Sequence, residues 1–140
     1  MSWLFESKEI EVLPEDCVGF VYLITNLTNN RKYIGKKLAR FKTTKPPLKG
    51  RKNKRRGTKE SNWREYYGSN DELNKDIEQL GTENFQREIL YYCKSKAECS
   101  YIEAREQFRH KVLETKEYYN GHIQVRVHGS HIINKLSSNS

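Results

Sequence analysis

The densest hydrophobic stretch of the chain is Phe20-Val21-Tyr22-Leu23-Ile24-Thr25, preceded by Gly19 and rich in β-branched and aromatic residues, which predicts a strand. Asn26 to Asn30 supply turn chemistry, and Lys32-Tyr33-Ile34-Gly35 resumes the extended pattern, so the two runs read as a hairpin. Pro46-Pro47, Gly50 and Gly57 then interrupt any period, and residues 38–60 read as an irregular insertion that orders on its ligand. Asn62 to Gly68 suits a short helical turn. A helix follows, with Ser69 or Asn70 as its cap, Leu73, Ile77 and Leu80 on one stripe and Gly81 as its stop. Phe85 to Cys93 predicts a third strand. Ser95-Lys96-Ala97-Glu98 has capping-box spacing and opens a second helix, with Ala97, Tyr101, Ala104 and Phe108 along one face, running to about Leu113. Tyr118-Tyr119-Asn120-Gly121 reads as a turn, and residues 122–140 as a tail without a pattern. This order predicts an α/β or α+β fold, a small sheet covered by helices, in one domain spanning 1–140.

Composition narrows what such a domain does. The 140 residues are 35% hydrophobic and 31% charged, enough for one modest core. Of 26 Lys and Arg, twelve fall between Lys36 and Lys59, where no acid occurs, so this one segment holds the whole positive excess behind the net charge of +8. Lys37, Arg40, Lys49, Arg51, Lys52, Lys54, Arg55, Arg56 and Lys59 belong to it. Such a block attracts polyanions, nucleic acid first and an anionic membrane surface second. No apolar run approaches bilayer length, and the acidic start of the chain does not resemble a secretion signal, so a cytoplasmic protein is expected. Cys17, Cys93 and Cys99 fit neither a disulfide framework nor a zinc pattern and read as reduced, partly buried thiols.

The hairpin residues Phe20-Val21-Tyr22-Leu23-Ile24 and Lys32-Tyr33-Ile34-Gly35-Lys36, with Glu103 on the last helix and Asn120 beyond it, resemble the signature of the GIY-YIG nuclease superfamily. Trp63-Arg64-Glu65-Tyr66-Tyr67-Gly68-Ser69 and Ile102-Glu103-Ala104-Arg105-Glu106-Gln107-Phe108 are similar to segments of small phage-encoded members related to homing endonucleases, whose place of action would be the host cytoplasm. The likeness spans roughly Gly19 to Gly121. It implies a three-stranded antiparallel sheet flanked by helices, and a DNA endonuclease that uses Mg²⁺ or Mn²⁺.

By the same resemblance, Glu103 holds the metal ion, with Glu106 one turn further on as its rival. A single carboxylate leaves most of the coordination shell of a hard cation to water and phosphate. Tyr22 corresponds to the general base and Tyr33 to the partner that orients water or phosphate. A free phenol has a pKa near ~10, so that role for Tyr22 requires a cationic neighbourhood, which Lys36 could supply. Arg64 corresponds to the family arginine, placed by element because the insertion displaces the count. Tyr67 fills the His or Tyr position after it, with Tyr66 or Arg40 as alternatives. Asn120 fixes the hairpin or the site through hydrogen bonds. Ordinary strand packing for the tyrosines and a solvated helix face for Glu103 are the plain readings of these residues taken singly. The rival function is a noncatalytic nucleic-acid-binding protein. Two features depart from the family pattern. Gly19 stands three residues before Tyr22, and no appended DNA-binding domain is evident, so specificity is expected to be low or supplied by a second subunit. Since a single site must pair or turn over to break a duplex, a homo-oligomer would serve double-strand cleavage.

Overall fold

In the computed structural model, which describes residues 2–137, the run around Tyr22 lies inside a sheet. The elements in chain order are β1 (Trp3–Phe5), β2 (Lys8–Ile10), β3 (Gly19–Asn26), β4 (Lys32–Leu38), β5 (Arg40–Lys45), β6 (Arg55–Glu60), α1 (Asp71–Leu80), β7 (Phe85–Cys93) and α2 (Lys96–Arg109). The main sheet has the order β2-β1-β7-β3-β4, so the α+β class holds but the sheet has five strands where three were expected. It is also mixed, because β1 runs parallel to β7. The extra hairpin escaped notice because its two-residue turn is Glu6-Ser7. Both residues have positive φ, 50° and 67°, yet neither is the Asn or Gly that signals such a turn.

The insertion is not irregular. β5 and β6 pair antiparallel in a separate two-stranded sheet, from Arg40 opposite Glu60 to Lys45 opposite Arg55. The turn formers Pro46, Pro47 and Gly50 gather at the tip between the strands, while Thr43, Thr44 and Thr58 supply β-branched residues along them.

Two cores lie on the two faces of the main sheet. Phe20, Tyr22 and Ile24 pack with Trp3, Trp63, Leu73, Phe85 and Ile89 on one side. Val21, Ile34 and Cys93 pack with Cys99, Ile102 and Val112 on the other. α1 begins as expected, with the Asn70 side chain accepting from Leu73 N–H at 3.0 Å. α2 likewise opens on Ser95, whose hydroxyl accepts from Glu98 N–H at 3.1 Å, but it ends at Arg109 and turns a different face inward. Of the expected face Ala104 is buried, but Tyr101 and Phe108 are exposed, while Cys99, Ile102, Glu98 and Gln107 are buried. Two large aromatics suggested the wrong stripe. Burial of the polar pair is made possible by hydrogen bonds, with the Glu98 carboxylate accepting from Lys94 N–H at 2.7 Å and from the Ser137 hydroxyl at 2.7 Å.

Residues 117–120 do not form a free turn. They run beside the β4 edge, where Lys32 N–H donates to Glu117 O and Tyr119 N–H to Lys32 O, each at 2.8 Å. Of the predicted tail, 138–140 lie outside the described residues. The three cysteines are buried and unbridged, and burial pushes the Cys17 thiol up to about 11. No helix among the described residues is long and apolar enough to cross a membrane.

Candidate active site

The pairing of β3 with β4 sets Tyr22 opposite Gly35 and Ile24 opposite Tyr33. Directly opposed residues share a face, so both tyrosines stand with Gly35 on the Trp63 side of the sheet, whereas Lys36 points to the α2 side. Gly35 is required by space. A Cβ there would lie 2.5 Å from Tyr22 Oη and 2.8 Å from Tyr33 Cε2. Without it the two rings come to 6.1 Å between centroids, and Tyr66 meets Tyr22 edge-on at 5.9 Å.

Because β4 is an edge strand, side chains from its two faces meet around its rim. Tyr33 from one face and Lys36 from the other enter an open cleft of about 920 Å³. α2 faces it with Ser100, Glu103 and Gln107, spaced so that they share one stripe of the helix. Residues 120–126 form the far wall. Burial raises the Glu103 pKa, while the Lys36 ammonium, a Lys36 backbone hydrogen bond and the charge of His122 pull it back. The Lys36 ammonium donates to Ser100 Oγ at 2.6 Å. Tyr33 Oη lies 3.4 Å from Ser69 Oγ, a long contact, and burial raises its phenol pKa with Tyr66 and Glu103 adding to the effect. Tyr22 sits behind this rim, fully buried. Desolvation pushes its phenol well above the ordinary value, and Tyr66, Tyr33 and Glu103 push it further.

Asn120 secures the rim. Ile34 N–H donates to Asn120 Oδ1 at 3.1 Å, and Asn120 Nδ2 donates back to Ile34 O at 2.8 Å, the double bond pattern of a neighbouring strand. Gln107 Nε2 donates to the same carbonyl at 3.0 Å. Asn120→Ala orphans the buried Ile34 N–H, and urea unfolding should register a loss of about 1–3 kcal/mol. Unchanged stability would mean that water replaces the amide without cost.

A family model described as "Putative endonuclease segE, GIY-YIG domain" matches residues 3–123. The chain belongs to the GIY-YIG nuclease superfamily. No curated protein and no solved structure matches it. The GIY-YIG match begins at residue 3, well before the hairpin, so it takes in the β1–β2 pair as well as the two tyrosine strands.

Within this GIY-YIG domain the structure gathers Tyr33, Lys36, Glu103 and Asn120 in one cleft, with Tyr22 packed behind Tyr33. Arg64 is elsewhere. Its guanidinium stacks 4.6 Å above the Trp63 ring, pairs with Glu60 and donates to Glu11 O at 3.1 Å, because β6 delivers Glu60 one helical turn ahead of it. Tyr67 also points away from the cleft and lies under the Arg87 guanidinium at 4.0 Å. The phenol beside Tyr22 is Tyr66, and the Lys37 ammonium sits 4.3 Å over its ring, partly desolvated so that its pKa is lowered. Arg40 donates to Glu15 O at 2.9 Å. Glu106, the rival carboxylate, is surrounded by Arg105, Arg109 and His110 at 3.4, 3.8 and 3.6 Å and does not line the cleft. Lys49, Arg51, Lys52 and Lys54 are exposed at the ribbon tip, and Arg55, Arg56 and Lys59 are exposed along β6. Sequence reasoning missed Ser69, Ser100, Gln107 and His122. His122 follows the Asn-Gly pair by one residue, but no spacing rule connects it to Glu103.

Proposed function

We propose that the chain is a divalent-metal-dependent DNA endonuclease, homing-like or a phage nuclease, hydrolysing phosphodiesters in the cleft at the β4 edge. The observation that carries this reading is that Glu103 and Tyr33, remote in sequence, line one open cleft together with Lys36.

The residues fit a hard cation. Among the described residues no group of three or more His, Cys, Asp and Glu gathers as a metal site. That composition disfavours a closed zinc centre, whereas one half-buried carboxylate in a wide polar cleft suits Mg²⁺ or Mn²⁺, which keep much of their water and take phosphate as a further ligand. Glu103 would hold the ion, and the bound ion would neutralise charge on the scissile phosphate and acidify water.

The other groups are positioned for complementary tasks. The Lys36 ammonium lines the cleft with Glu103, where it would offset phosphate charge, and it holds Glu103 toward its ionised form. Tyr33 offers a phenol at the rim to orient water or a nonbridging oxygen. Tyr22, kept neutral by burial, is unsuited to act as a phenolate base near neutral pH and instead fixes the rings of Tyr33 and Tyr66. Asn120 and Gln107 hold Ile34, and through it the strand that presents Tyr33 and Lys36.

Supercoiled plasmid should be nicked with Mg²⁺ or Mn²⁺ and left intact in EDTA. Retention of the plasmid on a gel without nicking in either ion would favour the noncatalytic reading, which the exposed basic ribbon also supports. One cleft cuts one strand at a time, so linear product should appear after nicked product unless two copies act together.

A further inference from the structure

The β5–β6 ribbon is a preformed element whose strands are largely exposed among the described residues. All six residues of β6 are exposed, and β5 is nearly so. A two-stranded hairpin alone is marginal in water, and this one is fastened at its root. Ser61 N–H donates to Ala39 O at 2.8 Å, Ser61 Oγ to Leu38 O at 2.6 Å, and Trp63 Nε1 to Glu60 at 2.6 Å. Glu60, the one acid between Arg40 and Glu60, is also taken up by Arg64 at the root. The projecting part therefore carries only cationic charge.

Opposed residues divide the ribbon into two faces. Phe41 with Lys59, Thr43 with Gly57, and Lys45 with Arg55 form one, and Lys42 with Thr58 and Thr44 with Arg56 lie on the other. Gly57 stands in the middle of the first face. Its φ is not positive, and a Cβ there would meet only Thr43 Oγ1 at 3.5 Å, an ordinary contact. Neither backbone geometry nor internal packing calls for glycine, which weakens a strand. A bare patch in mid-strand then points to close approach by another body.

Charge and dimensions identify that body. Six residues per strand give a ribbon of about 20 Å, and a two-stranded ribbon fits the major groove of B-form DNA, about 12 Å wide. Lys and Arg suit guanine O6 and N7, and Thr suits the thymine methyl, so the Gly57 face carries the chemistry of base edges. Single-strand binders use rows of aromatic side chains, whereas Phe41 is the one aromatic between residues 40 and 60. The deep, narrow major groove of duplex RNA excludes a ribbon.

Building on DNA as partner of the proposed nuclease, we propose that this ribbon lies in the major groove of duplex DNA, with its Thr43–Gly57 face on the base edges. The test uses the full chain in EDTA, so no cutting is required. A duplex selected by the wild type from a random pool should bind more tightly than either of its single strands or the corresponding RNA duplex. Dimethyl sulfate footprinting should show guanine N7 protection within the bound site. Gly57→Val should weaken binding to that duplex about tenfold without lowering the melting temperature, while Thr58→Val on the other face should bind like the wild type. Equal binding by Gly57→Val, unprotected N7 atoms, or single strands bound as tightly as the duplex would overturn the proposal. Absence of nicking would sink the nuclease reading while leaving these results to stand by themselves.

Discussion

Glu103→Gln is expected to reduce plasmid nicking about 10³-fold while leaving DNA binding in EDTA unchanged. Glutamine preserves the size of the side chain and its place on the α2 stripe but removes the charge that would hold a cation. A variant that nicks as fast as the wild type would remove Glu103 from the chemistry. The same replacement should raise the melting temperature at neutral pH. Burial raises the folded-state pKa of Glu103, so both folded and unfolded chains are protonated at low pH and the glutamate costs nothing there. As pH rises from the unfolded value through the folded one, the unfolded chain gives up its proton more readily, and wild-type stability falls relative to the Gln variant. Above that window the difference is constant. Nicking at subsaturating metal ion should accordingly decline on acidification at a pH above the ordinary glutamate range.

Gly35→Ala should be the most damaging single methyl addition in the site. The new carbon would fall 2.5 Å from Tyr22 Oη, 2.7 Å from its Cζ and 2.8 Å from Tyr33 Cε2. Tyr22 is completely packed and does not swing clear without moving its strand, so the partly buried Tyr33 ring is the one that gives way toward the cleft. Overpacking of this kind costs about 1–3 kcal/mol, measurable by urea unfolding. Nicking should fall by more than the lost stability explains, since the displaced phenol is the one at the cleft rim. Adding Tyr22→Phe removes the nearest contact but leaves the other two, so the double variant should recover part of the stability and show non-additivity. A Gly35→Ala protein of wild-type stability would contradict this packing.

What the sequence made legible follows the strength of each local signal. The hairpin of β3 and β4, the strand from Phe85 to Cys93 and the caps at Asn70 and Ser95 all rest on short-range patterns, and they emerge where expected. β1 and β2 rest on three residues each and a turn of Glu and Ser, and what fixes them is non-local, the burial of Trp3 and the pairing of β1 with β7. Tyr33, Lys36 and Glu103 were legible as a set because family resemblance joined residues that no local period connects. Arg64 lies outside the cleft for an electrostatic reason. The insertion that obscured the count also supplied Glu60, an exposed partner near enough to capture it. Tyr66 and Tyr67 differ by one position in sequence, yet only the fold decides which ring meets Tyr22.

The tie between Asn120 and Ile34 has a consequence for assembly. A bare outer strand invites edge-to-edge pairing with another chain and, in crowded solution, aggregation. Glu117, Tyr119 and Asn120 occupy the outward amides and carbonyls of Lys32 and Ile34, so the strand bearing the phenol at the rim is blocked there against recruitment into a neighbour's sheet. Edge-to-edge pairing through Lys32 and Ile34 is thereby closed off, while the cleft beside them stays open.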